Sequence, residues 1–150
     1  MVNQSLREIV ERALRETMEN MAFFEVLHQD VEFDRNQDLV ESHLSVTEPA
    51  IGSVTLFCQR SMAGMLVDEL YGGTIEINDA VINDTLNELA NTLAGQLIRL
   101  IRTDMVFSLG LPVCSVGPFS DLPEDALSFD VQNMPFAVYL DADFVRWADS

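Results

Sequence analysis

Residues 78–103 read NDAVINDTLNELANTLAGQLIRLIRT, the longest periodic segment of the chain and one without an internal proline. Val81, Leu86, Leu89, Ala90, Leu93, Leu97, Leu100 and Ile101 recur at the three- and four-residue steps of a helix, with Asn78 or Asp79 placed to start it and Thr103 near its end. At about 100° per residue, Asp84, Glu88, Asn91, Gly95 and Arg102 fall on one narrow stripe, and Leu86, Leu93, Leu97 and Leu100 fall opposite. Such a helix packs by its leucines and presents a carboxylate, an amide and a glycine in succession on its other face. Gly95 asks for a reason, because a glycine inside a helix costs roughly 0.8–1.0 kcal/mol relative to alanine. The close approach of a partner would supply one. A polar stripe opposite leucines is common to surface helices, so Glu88 and Asn91 taken singly are solvated residues; the information lies in the spacing of the whole run.

Upstream, Leu6, Ile9, Val10, Ala13, Leu14, Thr17 and Met21 form an apolar stripe on a first helix, with Ser5 and Glu8 in the capping-box pattern at its start. Phe24–Phe33, His43–Thr47 and Gly52–Gln59 carry alternating or β-branched apolar runs and are expected to be strands, separated by the polar stretch Asp34–Asp38 and by Glu48-Pro49. Ser61 opens a short helical run that Gly72-Gly73 stops. Beyond the long helix, Phe107–Val116, Phe129–Val131 and Phe136–Leu140 are expected strands, broken by Gly117-Pro118 and the acidic turn Asp121–Asp125. Strand runs joined by short turns outnumber strand–helix–strand units. The expected architecture is therefore α+β, a mainly antiparallel sheet with the two long helices on one face. With no repeat or low-complexity tract, residues 1–150 are expected to form one domain.

Composition narrows the function. At 150 residues, 48% hydrophobic and 22% charged, the chain has the means to bury a core. Lys and Arg number 8 against 25 Asp and Glu, for a formal charge of −17, so the summed field repels nucleic acid and anionic lipid headgroups. No apolar run reaches the roughly 18–20 residues of a membrane span, and Met1–Arg12 mixes charges of both signs, unlike a signal peptide. A cytoplasmic protein is expected. Cys58 and Cys114 stand apart, each in an apolar run, and are expected to be buried free thiols. His28 and His43 lie away from any cysteine and receive no role; Asp141 and Asp143 suit a solvated turn better than a cation site; Met62, Met65, Met105 and Met134 suit core or interface filling.

The run Asp84-Thr-Leu-Asn-Glu88-Leu-Ala-Asn91-Thr-Leu-Ala-Gly95 resembles the signature of the CheX/CheC/FliY phosphatases: Asp or Ser, then E-x-x-N, then glycine four residues after the asparagine. A first helix ending Glu19-Asn20-Met21-Ala22, a short helix closed by Tyr71-Gly72-Gly73, and Leu109-Gly110-Leu111-Pro112 after the motif helix extend the resemblance to CheX along most of the chain. The CheC branch carries a second E-x-x-N on its first helix. Here that stretch reads Glu16-Thr-Met-Glu19, with a carboxylate in place of the amide, which argues for one site and the CheX branch.

The resemblance implies hydrolysis of the aspartyl phosphate of a CheY-like receiver domain in chemotaxis or two-component signalling. Asn91 would position the attacking water, and Glu88 would pair with the receiver's lysine. Asp84 and Gly95 would lie on the partner-binding face. No cofactor would be bound by this chain, the Mg2+ ion belonging to the receiver, and two copies would join as a homodimer through sheet edges. The alternative is a non-catalytic module that holds a receiver or flagellar-switch partner on the same face.

Overall fold

The structure, a computed structural model, describes residues 2–27, 29, 31–48 and 50–150. In chain order the elements are α1 (Gln4–Ala22), β1 (Val26–Leu27), β2 (Leu39–Glu48), β3 (Gly52–Gln59), α2 (Arg60–Tyr71), α3 (Asp79–Ile101), β4 (Ser108–Leu109), β5 (Val113–Gly117), β6 (Leu127–Val131), β7 (Met134–Leu140) and α4 (Ala142–Ala148). The strands form one antiparallel sheet in the order β1-β6-β7-β3-β2-β4, with β5 also pairing β2. This is the expected α+β arrangement. The long helices α1 and α3 pack side by side on one face, and α2 joins them there.

Alternation along the strands builds the two faces. In β2, Val40, Leu44 and Val46 point into the helix layer together with Val54, Leu56 and Cys58 of β3, and the leucine face of α3 closes over them. The opposite face of β3 is buried too: Phe57, Leu39 and Ala137 lie under Phe33, Phe119, Leu122 and Ala126, which come from irregular segments. Ser42 is the one polar residue of β2 turned into the helix layer, and its hydroxyl donates to Oδ1 of Asn87 on α3 at 3.0 Å.

Several expectations are corrected. Asn3, not Ser5, caps α1, its side chain accepting from the Leu6 amide at 2.8 Å; asparagine caps as well as serine does, and the helix starts two residues earlier than a Ser5 cap would set it. Among the described residues of the Phe24–Phe33 run only Val26–Leu27 pairs, against Val131 and Asp130 of β6, while Phe33 turns onto the outer face of the sheet. His28 and Asp30 of that run, and Pro49, lie outside the described residues. The Phe107–Val116 run is two strands. Residues 110–112 stand opposite only Leu44 and Ser45 of β2, so the edge bulges and Leu111 is left 91% exposed.

Asp141 does not lie in a solvated turn. It caps α4, accepting from the Phe144 amide at 2.8 Å, and its second oxygen accepts from the Ser53 hydroxyl at 2.8 Å. Both cysteines are free thiols, but only Cys58 is buried as expected; Cys114, on the β5 edge strand, is half-buried.

Candidate functional site

α3 starts where the sequence places it. The Asn78 side chain accepts from the Val81 amide at 3.0 Å, and Arg60 of α2 pairs with Asp79 at 2.6 Å, tying the first turn to the neighbouring helix. Ile82, Leu86, Leu89, Leu93, Leu97 and Ile98 are buried, so the rotation of the helix about its axis is fixed by the core. The Ser42–Asn87 bond adds a polar contact from the sheet directly beside Glu88.

Asp84, Glu88 and Asn91 are accordingly exposed on the face away from the sheet. No hydrogen bond or ion pair engages their side chains among the described residues. The Glu88 main-chain carbonyl accepts from the Thr92 hydroxyl at 3.0 Å, a bond within the helix that leaves the carboxylate free. Asn91 follows Glu88 by three positions, a rise of about 4.5 Å along the axis, so a carboxylate and a neutral amide stand adjacent in open solvent. The pair is suited to grip a cation at one point and to orient a small polar molecule at the next.

Gly95 and Arg102 depart from the stripe. Gly95 is buried, with the ring of Phe107 against it. Arg102 is the C-cap, in extended conformation, and its guanidinium reaches the main-chain oxygens of Trp147 and Ser150 at 3.4 and 2.7 Å. Helical arithmetic places it on the stripe because the helix is expected to run to about Thr103, two residues past its end at Ile101.

A pocket of about 300 Å³ adjoins Asn91, lined also by Thr92, Gly95, Gln96, Arg99 and Phe107. Sequence reasoning missed Arg99 and Phe107. Arg99 follows Gly95 by four residues and Asn91 by eight, which is the signal that would have found it; Phe107 lies beyond the helix and carries no such periodicity. Gln96, which lines the pocket, donates to Glu16 of α1, the residue that opens the Glu16-Thr-Met-Glu19 stretch. A larger recess, about 700 Å³, lies between Phe33 and Phe119 on the opposite face of the sheet, where Arg35 pairs with Asp121 at 3.0 Å. It is on the wrong side of the sheet to serve the exposed face of α3. Among the described residues no group of three or more His, Cys, Asp or Glu is arranged to hold a metal ion, and no helix is long and apolar enough to cross a membrane.

No protein-family model and no curated protein matches this sequence. Solved structures do match its fold. A chemotaxis protein CheX from Desulfovibrio desulfuricans superposes with a TM-score of 0.72 at 18% identity, over 91% of this chain and 98% of that one. The fold is that of the CheX, CheC-like and FliY chemotaxis proteins. FliY from Thermotoga maritima matches this CheX-type fold over 99% of this chain and 96% of its own, with a TM-score of 0.66 at 14% identity. A CheX from Borrelia burgdorferi, solved as a CheX–CheY complex with BeF3 and Mg2+, matches over 89% of this chain and 94% of its own, at 16% identity and a TM-score of 0.63.

Proposed function

We propose that this chain dephosphorylates the aspartyl phosphate of a CheY-like receiver domain, with Asn91 positioning the attacking water and Glu88 docking the receiver's lysine. The observation that carries the reading is the exposed, unengaged pair Glu88 and Asn91, one turn apart on the best-anchored helix of a CheX-type fold. The Borrelia neighbour bound to CheY supports a receiver as the partner.

The chemistry fits the two side chains. Hydrolysis of a phosphoryl group asks a catalyst chiefly to place water in line with phosphorus and to avoid adding negative charge nearby. The Asn91 amide holds water through its donor and acceptor without carrying charge, which an aspartate there would do. Glu88 supplies a cation grip one turn away, fixing the register of the helix on the receiver. The divalent metal in this reading is the receiver's, and the protein acts in the cytoplasm. A homodimer through sheet edges belongs to the same reading, and the β4–β5 edge, with Leu111 and Val113 exposed, is the side it would use.

The test follows loss of phosphate from a phosphorylated CheY-like receiver with wild type, Asn91→Ala and Glu88→Ala. Acceleration by wild type that Asn91→Ala removes supports the reading. Binding of an activated receiver without any acceleration would replace it with a non-catalytic receiver-binding module.

A further inference from the structure

The pocket beside Asn91 holds a cation that nothing among the described residues engages by hydrogen bond or ion pair. All eight basic residues are arginines, set among 25 acidic side chains. Seven of the eight guanidiniums reach an oxygen acceptor among the described residues. Among the described residues Arg99 reaches none; its guanidinium lies over the face of Phe107, 5.2 Å from the ring centroid. In a chain so rich in carboxylates, an unclaimed guanidinium on an aromatic backing is a fork left open to the outside.

Gly95 makes this arrangement possible. A β-carbon at Gly95 would stand 3.8 Å from an Arg99 amino nitrogen and 3.5 Å from the Phe107 ring, so ring and guanidinium both fold into the space that a larger side chain would fill. The guanidinium is thereby held back toward Asn91, over a glycine about 6 Å along the axis from it. The exposed stripe then reads carboxylate, amide, guanidinium: Glu88, Asn91, Arg99.

We propose that Arg99 is the second docking contact of this face, its fork taking a carboxylate of the receiver, an inference that rests on the receiver reading above. A surface with a net charge of −17 repels an acidic partner unless a local cation meets it. With a negative grip at Glu88 and a positive one at Arg99, the helix accepts a partner in one direction only. A carboxylate is chosen over the phosphoryl group by position, since the Phe107 ring holds the guanidinium about one turn past the amide that faces the phosphorus.

The experiment titrates wild type, Arg99→Glu, Arg99→Lys and Phe107→Leu with a CheY-like receiver from the same organism, held active by beryllofluoride and Mg2+. Turnover of the phosphorylated receiver and thermal unfolding are measured alongside. Arg99→Glu should raise Kd about tenfold at low salt, flatten its salt dependence, and leave kcat at saturating receiver and the unfolding temperature near wild type. Arg99→Lys keeps the charge and loses the fork, and Phe107→Leu loses the backing; each should fall between. An unchanged Kd in Arg99→Glu overturns the proposal. So does a lower kcat at unchanged Kd, which would put the guanidinium on the phosphoryl group. Failure of wild type itself to bind any activated receiver removes the receiver reading, and this inference with it.

Discussion

The ring of Phe107 lies against the backbone of Gly95, its Cζ 3.5 Å from the point where a β-carbon would project. The close approach that a mid-helix glycine suggests is therefore made by this chain itself. That distance is ordinary contact for a methyl group, and alanine is the better helix former. Gly95→Ala should raise unfolding free energy by up to about 1 kcal/mol in urea titrations, whereas Gly95→Leu should displace Phe107 and destabilise. Loss of stability in Gly95→Ala would show that the ring cannot accommodate even a methyl.

Asn91→Ala should reduce acceleration of receiver dephosphorylation by about 100-fold or more, the scale of losing a preorganised hydrogen-bond donor at a reacting centre. Because the side chain is exposed and unengaged, Kd for a beryllofluoride-activated receiver should move little. A variant with normal turnover would take Asn91 out of the chemistry.

Glu88→Ala should weaken both binding and turnover, with Kd rising about tenfold and folding stability changing by no more than about 0.5 kcal/mol. Isothermal titration beside a thermal melt separates the two. A melt that drops in step with activity would mean the carboxylate serves the fold.

Asp141→Ala should cost about 1–2 kcal/mol by stripping the cap of α4, and it also leaves the buried Ser53 hydroxyl without its acceptor. Asp141→Asn, which keeps an acceptor oxygen, should recover much of that. Urea midpoints at constant m decide it.

Alkaline pH should destabilise the fold through its thiols. Burial, aided by the nearby Cys114, pushes the Cys58 thiol far up; burial, with Glu41 nearby, pushes Cys114 up to about 11 from 9.0. The unfolded chain thus releases these protons first, so their contribution is complete below about pH 9 and is lost as pH rises beyond it, for Cys114 through about 11. The slope of stability against pH above 9 should be shallower in Cys58→Ala than in wild type, whatever the variant's absolute stability. Equal slopes would show that Cys58 does not hold its proton in the native state.

What the sequence disclosed, and what it hid, divides along one physical line. α3 was legible because its signals are local: the Asn78 cap, an uninterrupted leucine period and a polar stripe lie within one segment. Exposure of Glu88 and Asn91 follows from that period alone. The extent of the Phe24–Phe33 strand was not legible, because β pairing needs a partner and, among the described residues of the run, only Val26 and Leu27 find one, about a hundred residues later in β6. α4 was hidden because its seven residues are too few to show a period, and its start depends on a cap shared with Ser53. Phe107 was hidden for a similar reason: its place over Gly95 is set by the turn after α3, not by any spacing within it.

The support beneath α3 has a consequence for synthesis on the ribosome. α3 rests on β2 and β3, which precede it, and on β5, which follows it; β3 gains its other neighbour, β7, later still. As the nascent chain lengthens, the helix can coil from its own local signals while its leucines lack part of their cover, and closure waits on strands not yet translated. Non-local pairing of this kind slows folding, and the uncovered apolar face is what chaperones grip and what aggregates in their absence. Overproduced chain should therefore be most vulnerable between the emergence of α3 and that of β7, a window that slower translation lengthens and lower temperature makes less sticky.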